Sequence, residues 1–132
     1  MMMYAELELK VCKDCDKPKD KKEFRRMSRG KETTYSKCKE CRAYFEFVRG
    51  LKRNYDMTPE QYSELLSKQN NSCACCGKHV SEFKRRLHVD HDHATGRVRA
   101  LLCTLCNPLV GFAKENINRL EMTITYLNKF KI

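Results

Sequence analysis

Two cysteine pairs, Cys73/Cys76 and Cys103/Cys106, stand 26 residues apart and enclose the string HVDHDH from His88 to His93. Each CxxC presents two thiolates from one tight knuckle, so two pairs can close a tetrahedral zinc site. Such a site is of the structural kind, with no coordination position left open for catalysis. The imidazoles and carboxylates between the pairs, with Asn107 directly after the last cysteine, are then free for a second metal and for proton transfer. Leu87 and Val89, followed by Val98, Ala100 and Leu102, alternate as two short strands with one buried face, a hairpin that zinc would tie at its base. The combination points to hydrolytic chemistry on a zinc-braced scaffold.

A second set has the same form. Cys12/Cys15 and Cys38/Cys41 are separated by 22 residues that hold PKDKKEF and a turn at Arg29-Gly30, a spacing that reads as a zinc ribbon. The knuckle VCKDCD places Asp16 where a left-handed residue is wanted, and aspartate tolerates that conformation better than most. Seven basic residues, Lys17, Lys19, Lys21, Lys22, Arg25, Arg26 and Arg29, fall within thirteen positions. The ribbon therefore reads either as a DNA-contacting element or as a folding brace. Cys75, the ninth cysteine, adjoins Cys76 and is expected to be a free side chain, since neighbours cannot easily share one knuckle. Nine cysteines in a reducing compartment point to metal rather than disulfides.

The run LHVDHDHATGRVRALLCTLCN, preceded by CACCGK, resembles the recombination endonuclease VII family within the HNH, or ββα-metal, class of nucleases. The resemblance begins near Met57, where MTPEQYSELLSKQ is similar to the family's entry helix, and extends to a terminal helix ending near Phe130. It implies that Asp90 and Asn107 hold a catalytic divalent ion and that His91 is the general base. By the same correspondence His93 touches phosphate and His88 is a supporting histidine. Ala100 stands where the family often has glycine, and Pro108 follows Asn107; neither change removes a functional group. Proline at the first position of a helix is well tolerated, and Pro108 is expected there.

Elementary chemistry supports these roles. Phosphodiester hydrolysis needs an activated water on one side of phosphorus and a stabilised leaving oxygen on the other. A hard ion such as Mg²⁺ favours carboxylate and carbonyl ligands, which Asp90 and Asn107 supply. An imidazole with an ordinary pKa of about 6.5 can accept a proton from water at cellular pH. Successive strand residues point to opposite faces, so Asp90 and His91 can share a site only where the strand ends or twists.

Composition agrees with this reading. The chain has 132 residues, and zinc can replace much of the core that so short a chain lacks. Its net charge of +10 is spread along the sequence, as a polyanion-binding surface requires. No stretch approaches the roughly 20 apolar residues of a membrane span, and MMMYAELELK lacks the apolar core of a secretory signal. The expected location is the cytoplasm, that of a bacterial host if the protein is phage-borne.

Helical periodicity marks three further segments. In RAYFEFVRGLKRNY, Tyr44, Phe47, Val48, Leu51 and Tyr55 form one stripe opposite Arg42, Arg49 and Arg53, although Gly50 weakens the helix. Thr58-Pro59-Glu60-Gln61 carries a capping signature for a helix running to about Gln69 that buries Tyr62, Leu65 and Leu66. Ile117, Leu120, Ile124 and Leu127 repeat in a terminal helix, whose apolar face needs either this chain's core or a second copy of the chain, with internal packing preferred.

The expected architecture is a small α+β zinc protein: a zinc ribbon with linker helix over 1–56, then a ββα-metal nuclease unit over 57–132. It would carry two structural zinc ions and a catalytic Mg²⁺ or similar ion, act on DNA without a membrane, and favour the monomer. The alternative from another class is a non-catalytic zinc module that binds DNA or protein.

Overall fold

The computed structural model describes residues 8–28 and 34–131, and the chain divides into two compact units, Met1–Thr58 and Pro59–Ile132. The turn at Arg29-Gly30 lies outside the described residues.

In the first unit a hairpin carries the first knuckle at its tip. Strand β1 (Leu9–Val11) pairs antiparallel with β2 (Pro18–Asp20), with Val11 opposite Pro18. Asp16 takes φ 52°, the left-handed conformation expected of it. The Asp20 carboxylate then accepts the Lys22 N–H at 3.0 Å and caps a 3-10 turn, Lys21–Glu23. Strand β3 (Phe24–Arg26) follows at once and pairs with β4 (Thr34–Cys38), with Phe24 opposite Cys38. Helix α1 (Lys39–Tyr55) starts directly after Cys38, so Cys41 sits in its first turn.

The small core is metal-ligand chemistry as much as hydrocarbon. Cys12, Phe24 and Cys38 are buried, with Cys15 and Cys41 packed against them. Gly50 does not interrupt α1, which runs to a left-handed Asp56. Of its apolar stripe only Leu51 is buried, while Tyr44 remains 52% exposed. Its arginines are partly used locally. The Arg42 guanidinium lies 4.5 Å over the Tyr35 ring, and Arg49 pairs with Glu46 at 2.8 Å.

The second unit opens with α2 (Pro59–Lys68), which buries Tyr62 and leaves Leu65 and Leu66 half-buried. The Tyr62 hydroxyl donates to the Leu87 carbonyl at 2.8 Å. Gln69, just past the helix, acts as a short piece of strand. Its carbonyl oxygen accepts the Leu101 N–H at 2.8 Å while its amide donates to the Leu101 carbonyl at 2.9 Å. A buried backbone group left without a partner is costly, so this one side chain secures a sheet edge.

The second knuckle uses Gly77 at φ 72° where the first uses Asp16. Strand β5 (His88–His91) pairs antiparallel with β6 (Val98–Leu102), and α3 (Cys106–Phe112) follows. The order strand, strand, helix is the expected ββα unit. Its core is Leu87, Val89, Leu101 and Leu102, closed by Cys73, Cys103 and Cys106.

Two expectations need correction. Helix α3 starts at Cys106, so Pro108 is its third residue rather than its first; the Pro108 nitrogen still falls in the first turn, where N–H groups lack intrahelical partners. Helix α4 (Ile117–Asn128) does not pack its apolar face into the core among the described residues. Ile117 is 71% exposed, and Ile124 and Leu127 are each 58% exposed. Periodicity defines an apolar face without supplying a partner for it.

Each four-cysteine set should carry one zinc ion, giving two per chain by elemental analysis. Cys103→Ala should lose one of them and unfold the second unit, because apparent zinc-binding energies of roughly 10 to 16 kcal/mol in zinc-finger peptides are folding energies. Cys75→Ser should retain both, and a single zinc in that variant would show the ligands to be wrongly assigned.

Candidate functional site

The two thiol clusters are built alike. Cys12, Cys15, Cys38 and Cys41 form one and Cys73, Cys76, Cys103 and Cys106 the other, with the sulfurs of each set within 4.8 Å of one another. A tetrahedral ion with metal–sulfur bonds of about 2.3 Å sets sulfurs roughly 3.8 Å apart. The 3.9 Å between the Cys76 and Cys103 sulfurs matches that spacing. The exposed Cys75 belongs to neither cluster.

Backbone N–H groups prepare each set for a cation. Cys38 N–H donates to the Cys12 sulfur at 3.2 Å, and this bond chiefly lowers the Cys12 thiol to about 6. Cys73 also falls to about 6: burial opposes ionisation, but N–H donors from Cys76, Cys103 and Cys75 outweigh it. Cys41 is pushed up to about 12, first by its hydrogen bond with Cys38. Within each set the thiols are thus pulled apart, Cys12 down against Cys41 up in the first, and Cys73 and Cys103 down against Cys106 up in the second. A divalent cation removes that conflict, and its binding releases protons.

The catalytic candidates lie on the second hairpin. His88 pairs with Leu102, Val89 with Leu101 and Asp90 with Ala100, but His91 pairs with Val98, so Arg99 is the extra residue of a bulge. The bulge lies on β6 and adds twist to the hairpin end where Asp90 and His91 sit, the last two residues of β5. Asp90 is 9% exposed and His91 half-buried at the end of the strand. The rings of His91 and His93 lie side by side, with centroids 4.9 Å apart. His88 is exposed near the start of the same strand.

Arg99, the bulge residue, clamps Asp90. Its Nε donates to one carboxylate oxygen at 2.7 Å and its Nη2 to the other at 3.0 Å, while the same Nη2 reaches Glu115 beyond α3 at 2.9 Å. Such a bidentate fork fixes the plane of a carboxylate. Each oxygen has two acceptor positions and spends one on Arg99, so Asp90 keeps donor capacity for a cation. A hard ion fits this oxygen donor.

Asn107 is held by the zinc end of the unit. It is the second residue of α3, between Cys106 and Pro108, and its N–H donates to the Cys103 carbonyl at 3.0 Å. The loop between the strands is set by Asp92, whose carboxylate accepts the N–H groups of Thr95 at 2.7 Å and Ala94 at 2.9 Å. Those bonds, Thr95 first, hold its carboxyl below the usual range. Gly96 completes the turn at φ 73°.

Sequence reasoning missed Arg99 and Glu115. An arginine across the hairpin from a buried carboxylate was the available signal, but its reach depends on a bulge that periodicity does not reveal.

The second unit is thus a strand–strand–helix unit closed by four thiols, with a clamped carboxylate and two neighbouring imidazoles on its hairpin. The recombination endonuclease VII profile matches residues 48–129, more than half of the chain, and the chain belongs to that family. It is 42% identical over 76 residues to the gene 59 protein of Mycobacterium phage D29, covering 57% of this chain and 46% of that protein. With the gene 59 protein of Mycobacterium phage L5 it is 40% identical over 74 residues, covering 55% and 44%. The matches thus span less than half the length of these relatives. A solved ββα-Me type II restriction endonuclease, Hpy99I, aligns with 93% of this chain and 66% of its own at 29% identity and a TM-score of 0.45.

Arg99→Ala should lower the stability of the second unit by roughly 1 to 3 kcal/mol, because it strips a buried carboxylate of its partner. Adding Asp90→Asn should recover part of that loss, as read from denaturant midpoints. Equal midpoints for the parent and Arg99→Ala would show the clamp to be energetically idle.

Proposed function

We propose that the chain is a Mg²⁺-dependent DNA endonuclease whose second unit carries the chemistry and whose thiol clusters hold zinc. The observation that supports this reading is the buried Asp90 carboxylate held by Arg99 near the end of β5, next to His91 in the chain.

His91 accepts the proton of the attacking water as general base. Asp90 and Asn107 are the ligands for the divalent ion, which when bound supplies charge stabilisation at the phosphate and the departing 3′ oxygen. Arg99 keeps the Asp90 carboxylate oriented, His93 contacts the phosphate, and His88 supports the strand. Hydrolysis by this route leaves a 5′ phosphate and a 3′ hydroxyl. Kinship with phage proteins supports a phage origin and action in the host cytoplasm, and among the described residues no helix is long and apolar enough to cross a membrane.

One unit has one base and one candidate ion site, so it cuts one strand per encounter. Supercoiled plasmid with Mg²⁺ should therefore give nicked circles before linear DNA. His91→Ala should retain two zinc ions and DNA affinity while losing about a hundred- to ten-thousand-fold in rate, the usual contribution of a general base. Undiminished cutting by His91→Ala would remove His91 from the mechanism, and linear product without nicked intermediates would replace nicking with paired cleavage.

A further inference from the structure

The two units repeat one local design. In each, the first cysteine receives an N–H from the third, Cys38 to Cys12 at 3.2 Å and Cys103 to Cys73 at 3.3 Å. The third receives one from the fourth, Cys41 to Cys38 at 3.5 Å and Cys106 to Cys103 at 3.4 Å. Residue 13 donates to Ser36 on β4 at 3.0 Å as residue 74 donates to Leu101 on β6 at 3.1 Å, each partner two positions before the third cysteine. Both knuckles lead into a side-chain-capped 3-10 turn, Lys21–Glu23 and Val80–Glu82, followed by phenylalanine. The sequences agree there too, Glu23-Phe24 against Glu82-Phe83.

Strand β3 thus occupies in the first unit the place that β5 occupies in the second. It carries Phe24, Arg25 and Arg26 and has neither the carboxylate nor the imidazoles of His88–His91. After the fourth cysteine, Arg42 stands where Asn107 does. The fold is kept and the candidate catalytic groups are absent.

Cations stand in their place. Arg25, Arg26 and Lys39 line a groove of about 550 Å³ along β3, together with Lys22, Phe24 and the Glu8 carboxylate. Lys22 is paired with Asp20 and Lys21 with Glu8, whereas Arg25, Arg26 and Lys39 enter no ion pair among the described residues. Both arginines are exposed. Local structure does not require these three charges, and their sign and spacing suit a row of phosphates.

We infer that the first unit is a non-catalytic copy of the second whose β3 groove, through Arg25, Arg26 and Lys39, binds the phosphate backbone of the DNA. The inference rests on the nuclease reading for the identity of the polyanion, but its measurement does not depend on cleavage. Guanidinium groups on an exposed strand grip phosphate without reading bases, so the contact is sequence-independent. It extends the footprint of the enzyme beyond the scissile bond.

The test is binding of the full-length chain to a fluorescent DNA duplex by anisotropy, without added divalent ion, over a series of salt concentrations. Arg25→Ala/Arg26→Ala should keep two zinc ions per chain and lose about tenfold or more in affinity at low salt. Two phosphate contacts fewer should make the slope of log K against log salt less negative by about 1.8. Arg25→Lys/Arg26→Lys should keep most of the affinity and slope. An alanine variant with both zincs and unaltered affinity and slope would overturn the inference, as would failure of the parent chain to bind the duplex. Cleavage that survives His91→Ala would refute the assigned base and leave the groove result standing.

Discussion

A sulfur atom accepting a backbone N–H from across the fold is the contact on which each unit depends. Cys38 N–H to the Cys12 sulfur, and Cys103 N–H to the Cys73 sulfur, join the start of each unit to the strand that leads into its helix. These bonds favour the thiolate, and the thiolate favours a metal. Local geometry therefore prepares a site that a single ion can lock. With buried residues as few as Cys12, Phe24, Cys38, Leu51 and Met57 among the described residues of the first unit, apolar burial alone has little to work with.

The same economy shapes the candidate active hairpin. Asp90 and His91 close β5, and the extra residue at Arg99 falls on the facing strand, where it twists the end of the hairpin. The bulge residue then turns back to hold the carboxylate and reaches Glu115, linking the hairpin to the chain beyond α3. A charged group at 9% exposure would be expensive if unpaired. Here the pairing orients it as well, leaving one acceptor position on each oxygen for a cation.

What could be read without coordinates was set by short sequence distances. CxxC fixes its own knuckle, so the eight clustered cysteines, the exclusion of Cys75 and the left-handed Asp16 followed from local spacing. The β5/β6 hairpin was legible from Leu87 and Val89 and from Val98, Ala100 and Leu102, although Asp90 and Leu101 are buried as well and the burial does not alternate cleanly. The segment LKV does alternate but PKD does not, and β1 and β2, whose pairing runs through the knuckle between them, were not foreseen. Arg99 and Gln69 were hidden for another reason: each bonds a partner fixed only once strand register or a long-range contact is known. The repeat of the two units was masked by the stretch 84–87, which precedes β5 and has no counterpart before β3.

Hydrogen exchange across the Asp90–Ala100 pairing, followed as zinc is withdrawn by a chelator, bears most directly on the claim that the thiolate clusters hold the candidate site together. Backbone amides of β5 and β6 should lose protection in step with loss of the ion from Cys73, Cys76, Cys103 and Cys106, and should regain it when zinc is restored. Protection that persists in the zinc-free chain would contradict the account, because the hairpin would then be held by its own packing rather than by the metal.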